Sequence, residues 1–137
     1  MTTHPVGLLD TNVVVLLGRL RADGLPGEPV ISTITLAELS VGPLVTDDAT
    51  ERAARQARLQ ETEAAFDPLP FDAASARAFG RLAAGLRRGG PEVRPRALDV
   101  LIASVAVAND LPLYTCNPSD FTGLKDLTLV AVPHPDA

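Results

Sequence analysis

Short apolar runs alternate with longer helical patterns along the chain, and this alternation restricts the fold more than any other feature. The strand-like runs lie at residues 6–9, 30–32, 113–115 and 127–132, with a weaker one at 66–69. The helical patterns lie at residues 11–20, 33–41, 47–65, 72–88 and 96–109. Strands separated by helices are typical of parallel βαβ units. The sequence therefore predicts a three-layer α/β/α fold, in which helices cover both faces of a four- or five-stranded parallel sheet.

Composition limits the classes of protein to which this chain can belong. Its 137 residues are 46% hydrophobic, which suits one domain, residues 1–137, with a substantial core. No apolar run is long enough to span a membrane, and the N-terminal segment lacks a signal-peptide pattern, so we expect a cytoplasmic protein without a membrane partner. Cys116 is the only cysteine, and His4 and His134 are the only histidines. These counts argue against a thiolate zinc site and a Ser-His-Asp triad.

Four acidic residues stand where a predicted strand gives way to a helix or a turn. Asp10 ends the first strand, Asp99 opens the last helix, and Asp120 follows the strand at 113–115. Glu38 follows the second strand. Because the carboxyl ends of parallel strands share one edge of a sheet, we expect the four acids to converge there. Clustered carboxylates repel one another unless a cation joins them, and an all-oxygen site suits Mg²⁺ or Mn²⁺.

Two of these acids also have a purely structural explanation as helix caps. Asp10 could cap the helix that follows it, although Thr11 or Asn12 could do so equally well. Thr35 and Glu38 match the spacing of a capping box, in which the glutamate reaches back to the first residue of the helix. Capping and metal binding therefore both remain open for these two acids at this stage.

The other two acids differ in how well a structural role explains them. Asp99 begins an almost wholly apolar helix, where an unpaired charge is costly, so we expect it to have a partner or a metal. Asp120 and Asn117 could be ordinary turn residues around Pro118. If the carboxylates repel one another in the absence of metal, replacing Asp99 with asparagine should stabilise the metal-free protein.

Four segments, taken in order, carry a family resemblance. Residues 9–13 (Leu-Asp-Thr-Asn-Val), 32–42, 99–103 and 115–121 resemble the four motifs of the PIN-domain nucleases, and among them the VapC-type toxins of bacterial toxin–antitoxin pairs. The similarity extends from residue 6 to about residue 132. Each motif is weak alone, but four in the right order in a chain of this length are specific. The resemblance implies a PIN-like fold.

The resemblance also implies an activity and a set of partners. It implies a divalent-metal-dependent endoribonuclease that uses Mg²⁺ or Mn²⁺ and acts as the toxin of a type II toxin–antitoxin pair. It further implies a homodimer and a VapB-type antitoxin whose C-terminal tail covers the acidic groove. Carried over by position, the catalytic and metal-binding acids would be Asp10, Glu38, Asp99 and Asp120. The supporting polar residues would be Asn12, Thr115 and Asn117.

Positive charge is concentrated just before Asp99. The net charge of the chain is −5, but five arginines fall between residues 81 and 96 against one acid. Solvated, arginine-rich helices would explain this pattern as well as a nucleic-acid surface would. The candidates for contact with the RNA backbone are Arg87, Arg88, Arg94 and Arg96.

Three other interpretations are weighed against a PIN nuclease. A receiver-type signalling domain would need a phospho-accepting aspartate after the third strand and a lysine after the last, and Asp67 and Lys125 fit these positions poorly. A haloacid-dehalogenase-type phosphatase would need a second aspartate where this chain has Asn12. A PIN-like module that binds RNA or a partner without catalysis remains open.

Overall fold

Four strands form one parallel sheet in the computed structural model, which describes residues 4–90 and 95–136. The strands are β1 (Val6–Leu9), β2 (Glu28–Val30), β3 (Leu113–Thr115) and β4 (Leu129–Ala131). Their spatial order is β2-β1-β3-β4, and every neighbouring pair runs parallel. β1 therefore lies inside the sheet, with a partner on each side, and the predicted parallel sheet is confirmed.

Five α-helices connect the strands in the described part of the chain: α1 (Thr11–Val15), α2 (Thr33–Val41), α3 (Ala49–Ala65), α4 (Ala73–Arg88) and α5 (Ala97–Ala108). Side chains cap four of them: Asp10 caps α1 by accepting from the Thr11 N–H, and Ser32, Asp48 and Asp72 each accept a hydrogen bond from a backbone N–H three residues on. The two longest helices, α3 and α4, begin and end close to their predicted bounds. No helix in the described ranges is long and apolar enough to cross a membrane.

The side chains of β1 and β3 alternate between two hydrophobic clusters. Leu8 and Leu113 pack into one cluster with residues of α4 and α5. Leu9 and Tyr114 pack into the other with α1, at Val13. Successive side chains of a strand point to opposite faces, so each face of the sheet needs its own cover of helices. This is the physical basis of the three layers that the sequence predicts.

Three elements differ from the sequence prediction. The first helix ends at Val15 and continues only as a 3-10 turn, Leu17–Arg19; its run of three valines has low helix propensity. β2 begins two residues earlier than predicted, and its Pro29 is tolerated because β2 is an edge strand. β4 is shorter than predicted at both ends.

The weak fifth strand at residues 66–69 is not a strand in the structure. Only Leu69 pairs with the neighbouring backbone: its N–H donates to the Ile31 carbonyl and its carbonyl accepts from the Thr33 N–H, both at 2.9 Å. Pro68 and Pro70 flank it and have no N–H to donate, so pairing cannot spread along the segment. The predicted loop at residues 89–95 lies partly outside the described residues.

Candidate active site

The carboxyl end of β1 opens onto a cleft of ≈ 400 Å³. Asp10 follows β1 directly, Glu38 lies on α2, and Asp99 lies in the first turn of α5; all three line the cleft. The other lining residues are Thr11, Asn12, Val15, Leu16, Arg96, Asn117 and His134. Three of the four predicted acids therefore share one cleft, although they are far apart in sequence.

The fourth predicted acid, Asp120, does not line this cleft. It lies half-buried in a 3-10 turn, Pro118–Phe121, which the buried Phe121 holds against the core. Asp120 is still close enough to act through its charge. The pKa of Arg96 is raised mainly by its hydrogen bonds to Asp99, and in smaller part by the charges of Asp120 and Glu38.

Asp10 is a buried acid at the carboxyl end of β1. Only 4% of its surface is exposed, and its backbone N–H donates to the Tyr114 carbonyl at 2.9 Å. Its two carboxylate oxygens accept hydrogen bonds of 2.8 Å, one from the Thr11 N–H and one from the Thr115 hydroxyl. Burial nevertheless raises the pKa of Asp10 to about 6, and the charges of Asp99 and Glu38 add to the rise. Of the three residues that the sequence offered as the cap of α1, Asp10 is the one that caps it.

Thr115 holds together the polar residues behind Asp10. Its hydroxyl donates to Asp10 and accepts from the Asn117 N–H at 3.0 Å and from the Asn12 side chain at 3.4 Å. One donor and two acceptor positions are all that a hydroxyl has, so Thr115 is fully used. The Asn12 side chain also accepts from the Cys116 N–H at 3.2 Å, which ties α1 to the end of β3. The structure thus brings Asn12, Thr115 and Asn117 together beside Asp10.

Glu38 faces the cleft rather than the start of its own helix. The Thr11 hydroxyl donates to Glu38 Oε1 at 2.7 Å, and it also lies 2.9 Å from the hydroxyl of the buried Thr35. The capping-box interpretation of Thr35 and Glu38 is therefore wrong, because Ser32 caps α2. Thr11 and Thr35 are site residues that sequence reasoning missed. Their signal was position alone: Thr11 directly follows the acid of the first motif.

Asp99 is paired with an arginine of its own helix turn. Arg96 Nε lies 3.1 Å from Asp99 Oδ2, and Arg96 Nη2 lies 3.3 Å from Asp99 Oδ1. The Asp99 side chain is 3% exposed and the Arg96 side chain 73%. In the structure the Arg96 guanidinium is hydrogen-bonded to the Asp99 carboxylate, and contact of Arg96 with RNA stays a prediction. Removal of the Asp99 charge is no longer expected to relieve repulsion in the metal-free protein, because Arg96 already lies beside the Asp99 carboxylate.

The other predicted arginines lie elsewhere. Arg87 and Arg88 are exposed in the last turn of α4, and Arg94 lies outside the described residues. His134 was not predicted as a site residue, and yet it lines the cleft from the segment after β4. Its place near the C-terminus gave the sequence analysis no reason to select it.

The donor groups of the cleft fit a hard divalent cation in kind. Three carboxylates, two asparagines and a threonine hydroxyl offer oxygen ligands, which Mg²⁺ and Mn²⁺ prefer. In residues 4–90 and 95–136, however, no group of three acidic, histidine or cysteine side chains is arranged to hold a metal ion. Arg96 donates a hydrogen bond to each carboxylate oxygen of Asp99. Burial of the Asp10 carboxylate leaves negative charge that a cation would stabilise.

Comparison with known proteins agrees with this geometry. The family model of the PIN domain matches residues 8–123. The chain belongs to the PIN domain family. It is 37% identical over 134 residues to the Mycobacterium tuberculosis protein Ribonuclease VapC5, covering 96% of both chains. It is 35% identical over 103 residues to Ribonuclease VapC8 of the same species, covering 74% of this chain and 90% of that one.

A solved structure resembles this PIN domain throughout. The structure of VapBC-5 from Mycobacterium tuberculosis, a member of the VapBC family of toxin–antitoxin systems, matches with a TM-score of 0.82 and 32% identity. The match covers 93% of this chain and 99% of that chain. The resemblance to PIN-domain proteins of the VapC type is therefore confirmed. The receiver-type and phosphatase-type interpretations have no support from these comparisons.

The raised pKa of Asp10 predicts a particular pH dependence of stability. A carboxyl group whose pKa rises from 3.8 to about 6 on folding lowers the free energy of unfolding as the pH increases between those values. The penalty above pH 6 is on the order of 3 kcal/mol. We expect Asp10→Asn to raise the melting temperature of the chelator-treated protein at about pH 7.5, with a gain that shrinks towards pH 4.

Asp110→Asn is the matched control for this measurement. It removes one negative charge at an exposed position with a φ of 54°, which asparagine tolerates. Its melting temperature should follow the wild-type curve across the same pH range. If Asp10→Asn also parallels the wild type, the Asp10 carboxylate carries no charge penalty in the folded protein.

Proposed function

We propose that this PIN domain is a divalent-metal-dependent endoribonuclease and the toxin of a type II toxin–antitoxin pair. The observation that carries the proposal is the convergence of Asp10, Glu38 and Asp99 on one cleft. The similarity of the chain, over nearly its whole length, to a protein named Ribonuclease VapC5 supports RNA as the substrate class. Mg²⁺ or Mn²⁺ is the cofactor that the oxygen donors of the cleft favour.

The residues of the cleft divide the work of phosphodiester hydrolysis. Asp10 and Asp99 would be the central metal ligands. Glu38, and Asp120 although it does not line the cleft, would orient water or hold a second ion. A divalent metal held by these residues would acidify water to make the nucleophile and would stabilise the negative charge that develops on the phosphate. Thr115 keeps the Asp10 carboxylate in one orientation through its hydroxyl. Thr11 does the same for Glu38, so both ligands are positioned before the substrate arrives.

Removal of one central carboxylate tests the catalytic assignment. We expect Asp10→Asn and Asp99→Asn each to reduce cleavage of a fluorescent RNA by more than about 100-fold, because both residues would be direct metal ligands. Mutation of a residue that only orients a metal ligand already lowers metal affinity or activity by roughly 10–100-fold. The measurement is initial rate with Mg²⁺, with Mn²⁺ and with chelator, for variants whose circular dichroism matches the wild type. Asp110→Asn should cleave like the wild type. Cleavage at the wild-type rate by either central variant would contradict the assignment and favour a binding module without catalysis.

A basic groove on α4 is the surface that we assign to the RNA backbone. Arg77, Arg81 and Arg88 line one side of the helix, and Lys125 joins them around a groove of ≈ 570 Å³. Spacings of four and seven residues place the three arginines on one helix face. The small residues Gly80 and Gly85 leave the groove floor open. Arg87 does not line the groove, so of the predicted arginines that the structure describes, Arg88 alone belongs to it.

The dependence of RNA binding on salt tests this groove. In an Asp10→Asn background that binds without cutting, we expect the pair Arg81→Ala and Arg88→Ala to weaken single-stranded RNA binding. Each lost phosphate contact should reduce the slope of log K against log salt by about 0.7. Arg52→Ala, an exposed arginine of α3, is the control and should leave the slope unchanged. An unchanged slope in the double variant would place the RNA elsewhere.

A second groove, between α1 and α3, suits the antitoxin partner. It has a volume of ≈ 450 Å³, and its apolar lining includes Val14, Leu17, Ala57 and Phe66. Val15 lines both this groove and the acidic cleft, and it is 40% exposed. An amphipathic helix lying in the groove would therefore end over the acids. The solved VapBC-5 complex supports an antitoxin as partner, and a homodimer stays a prediction of the family resemblance.

Blocking this groove should separate inhibition from catalysis. We expect expression of the toxin alone to stop growth and co-expression of the antitoxin encoded beside it to restore growth. Ala57→Arg should stay toxic in the presence of the antitoxin, because the arginine fills the groove without touching the acidic cleft. Ala53→Arg makes the same change at an exposed α3 position outside the groove and should remain neutralised. Equal neutralisation of both variants would mean that the antitoxin binds another surface.

A further inference from the structure

Arg96 is a positively charged residue that lines the acidic cleft. Its guanidinium makes a two-point contact with Asp99, at 3.1 Å and 3.3 Å, and these are the hydrogen bonds that the Asp99 carboxylate accepts within the described residues. Among the described residues, Asp10 accepts hydrogen bonds from neutral donors, and Glu38 accepts one from the Thr11 hydroxyl. Within that part of the chain, Asp99 has a full positive charge bonded to it, whereas Asp10 and Glu38 do not.

The two partners of this ion pair are very unequally exposed. The Arg96 side chain is 73% exposed and its location precedes α5, so it can rotate into water at little cost. The Asp99 side chain is 3% exposed and is fixed on a helix that is largely buried. A buried carboxylate that loses its partner needs another cation, because an unpaired buried charge is costly. Another cation can therefore replace Arg96 beside the Asp99 carboxylate.

We propose that Arg96 is the resident counter-ion of the acidic cleft and that a divalent metal must displace it from Asp99 in order to bind. This inference rests on the proposed metal-dependent function and deepens it. Arg96 stabilises the metal-free fold and, by the same contact, weakens metal binding. The Arg96–Asp99 pair thereby sets the concentration of metal at which the cleft is loaded.

Two measurements on purified protein test the competition without relying on cleavage. Calorimetric titration with Mn²⁺ gives the dissociation constant, and thermal melting in chelator gives the stability of the metal-free state. The test variants are Arg96→Gln, which removes the charge, and Arg96→Lys, which keeps the charge but not the two-point contact. Arg87→Gln is the matched control, because it removes an exposed arginine that does not line the cleft.

The expected pattern has opposite signs in the two measurements. Arg96→Gln should melt below the wild type in chelator and bind Mn²⁺ about tenfold more tightly, the effect of losing one charge-assisted hydrogen-bonded contact. Its melting temperature should match the wild type once Mn²⁺ saturates both. Arg96→Lys should lie between the wild type and the glutamine variant. Arg87→Gln should change neither the dissociation constant nor the melting temperature.

The possible failures are distinguishable. Weaker or unchanged Mn²⁺ binding by Arg96→Gln overturns the inference and leaves the proposed nuclease intact. A lysine variant that binds Mn²⁺ like the wild type also overturns it, since long-range charge alone would then suffice. Tighter Mn²⁺ binding by Arg96→Gln in a protein that cleaves no RNA supports the inference and overturns the proposed function. Absence of Mn²⁺ binding in every variant overturns both.

Discussion

The burial of one carboxylate at the end of an interior strand is the constraint on which the site depends. Asp10 is placed by β1, which has parallel partners on both sides, and its N–H is held by the carbonyl of Tyr114 in β3. Its carboxylate is held by the Thr11 N–H and the Thr115 hydroxyl. Its neighbours adapt to it: Thr11 and Thr115 supply hydrogen bonds, and Asn12 and Asn117 in turn orient Thr115. The cleft is thus a consequence of where the central strand ends.

Much of this arrangement could be predicted from the sequence, because it follows from topology. An acid directly after an apolar run, as at Asp10, must lie at a strand end, and parallel strands end at the same edge. The position of Asp99 at the start of an apolar helix was equally informative, since a buried charge there needs a partner. Glu38 was placed by its helix, and the sequence left both capping and metal binding open for it. The prediction was weakest for Asp120, because the direction of a short turn depends on packing that spacing does not reveal.

What could not be predicted is which side chains satisfy one another across the cleft. The hydroxyl of Thr11 bonds Glu38, 27 residues away, and such a pairing depends on how α1 and α2 cross. The length of α1 and the lack of a fifth strand among the described residues depend on the balance between local backbone propensity and packing. A pattern of apolar residues does not measure that balance. Arg96 is different, because an arginine three residues before an aspartate at a helix start is a recognisable pair. The sequence prediction assigned Arg96 to the RNA backbone, whereas in the structure its guanidinium binds the Asp99 carboxylate.

The cleft therefore compensates its negative charges in two ways, and the difference bears on how a cation enters. At Asp10 the donors are neutral, so a cation gains attraction without first breaking an ion pair. At Asp99 a cation must replace Arg96, so the gain is only the difference between two positive partners. Asp10 should therefore contribute more to the attraction of a cation than Asp99, whose contribution depends on the release of Arg96. On this argument the fold supplies the attraction through Asp10, and Arg96 determines how much of that attraction becomes affinity.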